Sequence, residues 1–279
     1  MQHDPLPATD ADLPLEAAEA APTAIVLVAL GLAASFVVLG RAVARARRGL
    51  PAVDVRPHPP VAWGGGDVAA AVASYLGLQI VASAVLPTAA TVHLRLAAAG
   101  TAVLAATLLT AAQLVARGAP RDSLGFGLAR LRDDAALGIA GLALVLAPLL
   151  CLAGLLDRVQ PYRHEIIDFL AAHRDPLAIG LVAFCAVVAA PIAEEFLFRR
   201  VLQGWLERHE PAWGQGWPIL ASSAAFALAH YGQGLGWIPL FFFGIVCGYL
   251  ARQTGSIVPG VVLHALFNAV SLGIILGRG

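Results

Sequence analysis

Two adjacent carboxylates, Glu194 and Glu195, followed by Arg199, are the first residues in this 279-residue chain whose types and spacing could do chemistry. If the segment is helical, Glu195 and Arg199 stand at i and i+4 and can pair, while Glu194 lies about 100° around the axis and points elsewhere. One carboxylate can thus be held and charge-balanced while its neighbour faces a cavity. Farther on, His230 follows Phe226 by four residues, a spacing that stacks an aromatic ring beside the imidazole. His264 and Asn268 repeat the interval, so both project from one face of a helix. A carboxylate, two imidazoles and an amide brought into one pocket can polarise a water and stabilise a carbonyl oxyanion. Each patch has a bland alternative: a Glu/Arg cluster ending a helix, a His capping one, a His/Asn pair gluing two helices together. Three such patches in a chain this apolar are harder to read as independent packing devices.

The apolarity is pronounced. Hydrophobic residues make up 59% of the chain and charged ones 13%, with a mean hydropathy of +0.77. A soluble domain carries about 25% charged residues, so much of this surface faces lipid. The net charge is zero, which gives no sign of a nucleic-acid partner. All 18 basic residues are Arg, a bias that points to base composition and hints at a bacterial source. Cys151, Cys185 and Cys247 lie far apart in apolar runs and are expected to be buried small hydrophobes, with no disulfide framework.

Long apolar stretches fall at roughly 23–40, 68–92, 96–116, 135–156, 176–193, 211–251 and 253–277. The run 211–251 is too long for one crossing and is broken at Tyr231-Gly-Gln-Gly-Leu-Gly236, giving two spans. The expected fold is an all-α polytopic transmembrane helical bundle of about eight spans. In this reading Glu194, Glu195 and Arg199 end the fifth span, His230 lies in the sixth, and His264 and Asn268 lie in the eighth. The first span is followed by Arg41, Arg45, Arg47 and Arg48, so it is an uncleaved anchor with the N-terminus outside. Alternation then places Arg117, Arg121, Arg130 and Arg132, and later Arg199, Arg200 and Arg208, on the cytoplasmic side. A short amphipathic helix is expected around Ile166, Ile167, Phe169 and Leu170.

The three patches resemble, residue by residue, the motifs of the CPBP intramembrane proteases. That family includes the type II CAAX prenyl endopeptidases and bacteriocin-processing or self-immunity proteins. Glu-Glu-x-x-x-Arg reads Glu194-Glu195-Phe-Leu-Phe-Arg199, Phe-x-x-x-His reads Phe226-Ala-Leu-Ala-His230, and His-x-x-x-Asn reads His264-Ala-Leu-Phe-Asn268. The run beginning Thr254-Gly-Ser-Ile also looks like the family, and the resemblance covers roughly residues 120–276.

The resemblance implies a metal-independent glutamate endopeptidase acting on a membrane-associated peptide or protein. Glu194 and His230 would activate water, His264 and Asn268 would form the oxyanion hole, and Glu195 and Arg199 would order the helix, with Phe226 in support. No cofactor is implied, and the partners are the substrate and the lipid bilayer; oligomeric state is left open. The expected organisation is an acidic external tail (1–22), a first anchor (23–48), a Pro/Gly-rich cytoplasmic linker (49–66), additional spans (67–134) and a CPBP-like catalytic membrane core (135–279), in a bacterial inner membrane.

Four other readings compete. A zinc protease could use the same side chains, although no His-Glu-x-x-His is present. A rhomboid-type serine protease built on Ser256 would leave the Glu pair unused. A proton-coupled transporter would be expected to show inverted repeats, which the sequence lacks. A non-catalytic immunity or scaffold protein could keep the motifs without turnover.

Overall fold

The structure, a computed structural model, describes residues 15–160, 169–170, 172–210, 215–232 and 234–277, with side chains from residue 25 onward. Among the described residues there are eight principal helices and no strand. They are α1 (Leu15–Ala46), α2 (Gly65–Val85), α3 (Val92–Ala116), α4 (Leu131–Asp157), α5 (Pro176–Glu207), α6 (Trp217–Leu228), α7 (Trp237–Thr254) and α8 (Val258–Gly277). All but α6 are long and apolar enough to cross a membrane. The chain is an integral membrane protein, and the expected eight helices are present.

Helix ends follow local chemistry. Pro87 forces the residue before it out of helical geometry, so Leu86 is extended and ends α2. Thr91 then caps α3 by accepting the Leu94 N–H at 3.3 Å. Asp175 caps α5, accepting the Ala178 N–H at 3.0 Å. That bond, helped by His93 at 3.0 Å, holds the Asp175 carboxyl below its ordinary range. Asp133 and Asp134 favour a helix N-terminus, which is why α4 starts at Leu131 rather than near 135.

Three expectations are corrected. The fifth span does not stop at the Glu pair, because α5 runs on to Glu207 and places Glu194 and Glu195 well inside it. α6 has 12 residues and ends at Leu228, so His230 sits in the turn beyond it, where its N–H bonds the Ala227 carbonyl. Of the cysteines only Cys247 is buried; Cys151 lies on the outer surface of α4 and Cys185 is half-buried.

Residues Ile166 and Ile167 of the expected amphipathic helix lie outside the described residues. Leu170 packs with Val182 and Leu272, and Phe169 stacks on His173. The glycine turn holds Tyr231 and Gly232 and a single tight turn at Gly234–Gly236, with Gln233 outside the described residues.

α1 packs chiefly against α4 through small residues, as membrane helices do where backbones meet closely. A Cβ on Gly31 would lie 2.8 Å from that of Ala147, and Ser35 Oγ donates to the Ala143 carbonyl at 2.8 Å.

The connection from α1 to α2 is non-helical but closely packed. Arg56 pairs with the buried Asp134, its N–H bonds Gln253 O at 2.7 Å, and His58 Nε2 meets Arg252 O at 3.0 Å. Val61 and Trp63 are buried with Phe196, Val201 and Ile257. This strap crosses the end of the bundle where the Arg-rich loops lie.

Candidate active site

α5 is an irregular helix. Phe184–Ala189 and Glu195–Gln203 are π-helical, a geometry that is rare and concentrated at functional sites. In the first stretch the Ala190 N–H reaches back five residues to Cys185 O. The next residue, Pro191, has no N–H, which leaves Ala186 O without its counterpart in that register. Asn268 Nδ2 from α8 donates to that carbonyl at 2.8 Å. One amide N–H of Asn268 therefore ties α8 to α5, and the other remains available.

Glu195 and Arg199 are sealed from solvent, with Arg199 Nε 3.4 Å from Glu195 Oε2. Arg199 Nη1 donates to Ser222 Oγ at 3.1 Å, and Ser222 donates to Phe198 O at 2.7 Å. The guanidinium also lies over the Phe226 ring, 5.0 Å from its centroid. Glu194 differs from its neighbour, since its side chain keeps 26% of its surface exposed against 0% for Glu195. The two carboxylates thus divide as their spacing predicts, one held and one open.

His264 sits between them. Its Nδ1 is 3.4 Å from Glu195 Oε1 and its Nε2 is 3.8 Å from Glu194 Oε2. Phe226 is the hub of the site, with its ring centroid 4.9 Å from that of His230 and 5.8 Å from that of His264. His230 Nδ1 is 2.9 Å from the Phe226 carbonyl. A carbonyl only accepts, so Nδ1 is the donor in this bond and Nε2 is the ring nitrogen left to face the site. Glu194, Glu195, Arg199 and His264 are thus joined in one chain of contacts, His230 joins them through the Phe226 ring, and Asn268 stands one turn beyond His264 on α8. Glu194, His230 and Asn268 are partly open, and Glu195, Arg199 and His264 are buried.

Ser256, the serine alternative, is otherwise engaged. It accepts the Val258 N–H at 3.2 Å at the start of α8, and its Oγ lies 3.4 Å from Gly125 O. Among the described residues no three His, Cys, Asp or Glu side chains converge as a metal set would. A cavity of about 1000 Å³ lies under the strap, lined by Arg45, Asp54, Arg56, Asp133 and Ser256 among others, and none of the motif residues lines it.

Sequence reasoning missed Gly260. A Cβ there would fall 2.5 Å from Oε2 and 3.2 Å from Cδ of the fully buried Glu195, so the carboxylate would have to shift. Gly260→Ala is expected to cost about 1–3 kcal/mol through overpacking and to reduce turnover with it. Gly273→Ala, where nothing lies within 4 Å, should be neutral. Thermal melting of the two purified variants checks this, and equal melting temperatures would refute it. The signal available in the sequence was the spacing Gly260-x-x-x-His264, one turn before the third motif.

The comparisons with known proteins agree with the motifs. Residues 176–270 match a family model described as Type II CAAX prenyl endopeptidase Rce1-like. Neither the curated proteins nor the solved structures gave a match. The matched segment runs from the start of α5 into α8 and contains every motif residue. That segment, about a third of the chain, is similar to the Rce1-like type II CAAX prenyl endopeptidases, and the similarity supports a peptidase in this integral membrane protein.

Proposed function

We propose that the protein is an intramembrane glutamate endopeptidase that hydrolyses a peptide bond in a membrane-associated protein or peptide. The observation that carries this reading is the division of the carboxylate pair: Glu195 is sealed against Arg199 while Glu194 stays open beside His264. Glu194, with His230 Nε2, takes a proton from water as its oxygen attacks the scissile carbonyl. His264 and the uncommitted N–H of Asn268 donate to the oxyanion. Glu194 then returns the proton to the leaving nitrogen as the carbon–nitrogen bond breaks. Glu195 and Arg199 hold the helix, and Phe226 sets the two imidazoles.

The reading is metal-free. The zinc alternative needs Glu194, His230 and His264 to converge on one ion, and the remaining polar side chain, Asn268, is a poor zinc ligand. Cleavage of a candidate membrane peptide by the purified protein should therefore survive chelation. Stoichiometric zinc, lost together with activity, would favour the metal reading. A protein that never cleaves while remaining folded would favour the immunity or scaffold role.

The orientation we propose has the Arg-rich end, with the strap, on the cytoplasmic side of a bacterial inner membrane and the N-terminus outside. Single cysteines at Arg47 and Ala89, in a background free of native cysteines, should be labelled from opposite sides. Labelling from the same side would reverse this topology.

A further inference from the structure

Among the described residues, four carbonyls of α5 take donors from other elements. Besides Asn268 on Ala186 O and Ser222 on Phe198 O, the Tyr75 hydroxyl of α2 donates to Ala193 O at 3.2 Å. Trp63 Nε1 of the strap donates to Val201 O at 3.0 Å. Tyr75 and Trp63 lie in the first 120 residues, which neither the motifs nor the matched segment covers. Both are buried, and each is fixed by further contacts. Tyr75 OH is 2.8 Å from Thr107 Oγ1, and the Trp63 ring lies under Arg200, 5.7 Å from its guanidinium carbon.

Their placement is specific to the site. Ala193 immediately precedes Glu194, and Val201 lies near the end of the π-helical stretch Glu195–Gln203. A π stretch is less favourable than α, and slipping back to α would rotate whatever follows by about one residue, roughly 100°. Such a slip would turn Arg199, inside the stretch, away from Glu195 and Glu194 at its start. A donor from outside stabilises a carbonyl in the irregular register, and these two donors bracket the segment.

We propose that Tyr75 and Trp63 are positioning residues. From outside the family segment they hold α5 in its π register, Tyr75 beside Glu194 and Trp63 near the far end, and so keep the Glu194–Glu195 pair aligned with Arg199. This rests on the catalytic role proposed for Glu194.

The test uses the full-length protein in bicelles and a membrane peptide that it cleaves. Tyr75→Phe keeps the ring and removes only the donor, whereas Trp63→Phe removes the donor and also shrinks a buried ring. Each is expected to lower kcat about tenfold, the equivalent of one well-placed hydrogen bond, with KM within about twofold. Amide exchange over 195–203 should quicken while α4 is unchanged. Thr110→Val, which removes a buried hydroxyl that makes no hydrogen bond, is the control and should keep normal kinetics.

Normal kcat in both Phe variants, or a loss that only follows the folded fraction, would overturn the inference. Should Trp63→Phe fail to fold, Tyr75→Phe decides. A Glu194→Gln protein that still cleaves would instead overturn the functional reading. An inert Glu194→Gln beside fully active Phe variants would sink the positioning role alone.

Discussion

Glu194→Gln is expected to abolish detectable cleavage while the protein still inserts and melts normally. Gln keeps the shape and much of the hydrogen bonding of Glu but cannot take a proton from water, and general-base catalysis is worth about 10²–10⁴ in rate. The side chain is partly open, so the substitution leaves no sealed charge unpaired and should spare the fold. His230→Ala should be comparably severe, because the ring is held by the Phe226 carbonyl with Nε2 left to face the site. Asn268→Ala should lose about 10²–10³ as an oxyanion donor. It should also loosen the tie to Ala186 O, which adds a stability cost absent at position 194. Near-normal turnover by Glu194→Gln would rule the carboxylate out as the base.

The opposite signature is expected one residue away. Glu195→Ala leaves Arg199 buried without its carboxylate, and Arg199→Ala leaves Glu195 in the same state. Breaking a sealed pair from one side costs about 3–5 kcal/mol, a large part of the stability of most proteins. Both single variants should therefore melt far below the parent and express poorly. Replacing both partners with apolar residues, Glu195→Leu with Arg199→Met, removes the two charges together and should recover much of that stability. It should not recover activity, since His264 Nδ1 loses the carboxylate that faces it. Single variants that melt like the parent would show that the pair is solvated and that the separation of roles between Glu194 and Glu195 is wrong.

The sequence already showed the helices and the three motifs, because apolar length and i, i+4 spacing are local properties. The pairing of Glu195 with Arg199 and the stacking of Phe226 on His230 follow from spacing alone, and both are present. What remained hidden depends on contacts between distant segments. The length of α5 was misjudged because two carboxylates and two arginines look like a helix end unless a partner buries them; Ser222, Phe226 and His264 do so here. The π register could not be read, because it depends on Pro191 together with donors on four other segments. The Pro- and Gly-rich stretch after α1 reads as a linker by composition, yet Val61 and Trp63 within it are core residues. His264 was assigned through the resemblance to the oxyanion hole; its position between both carboxylates is a fact of three dimensions.

That position bears on how charge travels during the proposed hydrolysis. One negative charge sits on Glu194 at the start and on the carbonyl oxygen in the tetrahedral intermediate, and it returns to Glu194 as the amine departs. The total within the pocket is constant at every step until the product acid ionises in water. Since Nε2 of His264 already stands 3.8 Å from Glu194, the ion only changes neighbours around a fixed imidazole. A medium as poor in water as a bilayer penalises the creation of charge far more than its displacement over a few ångströms. The work of desolvating that ion was done when the protein folded, and the barrier to reaction is spared it.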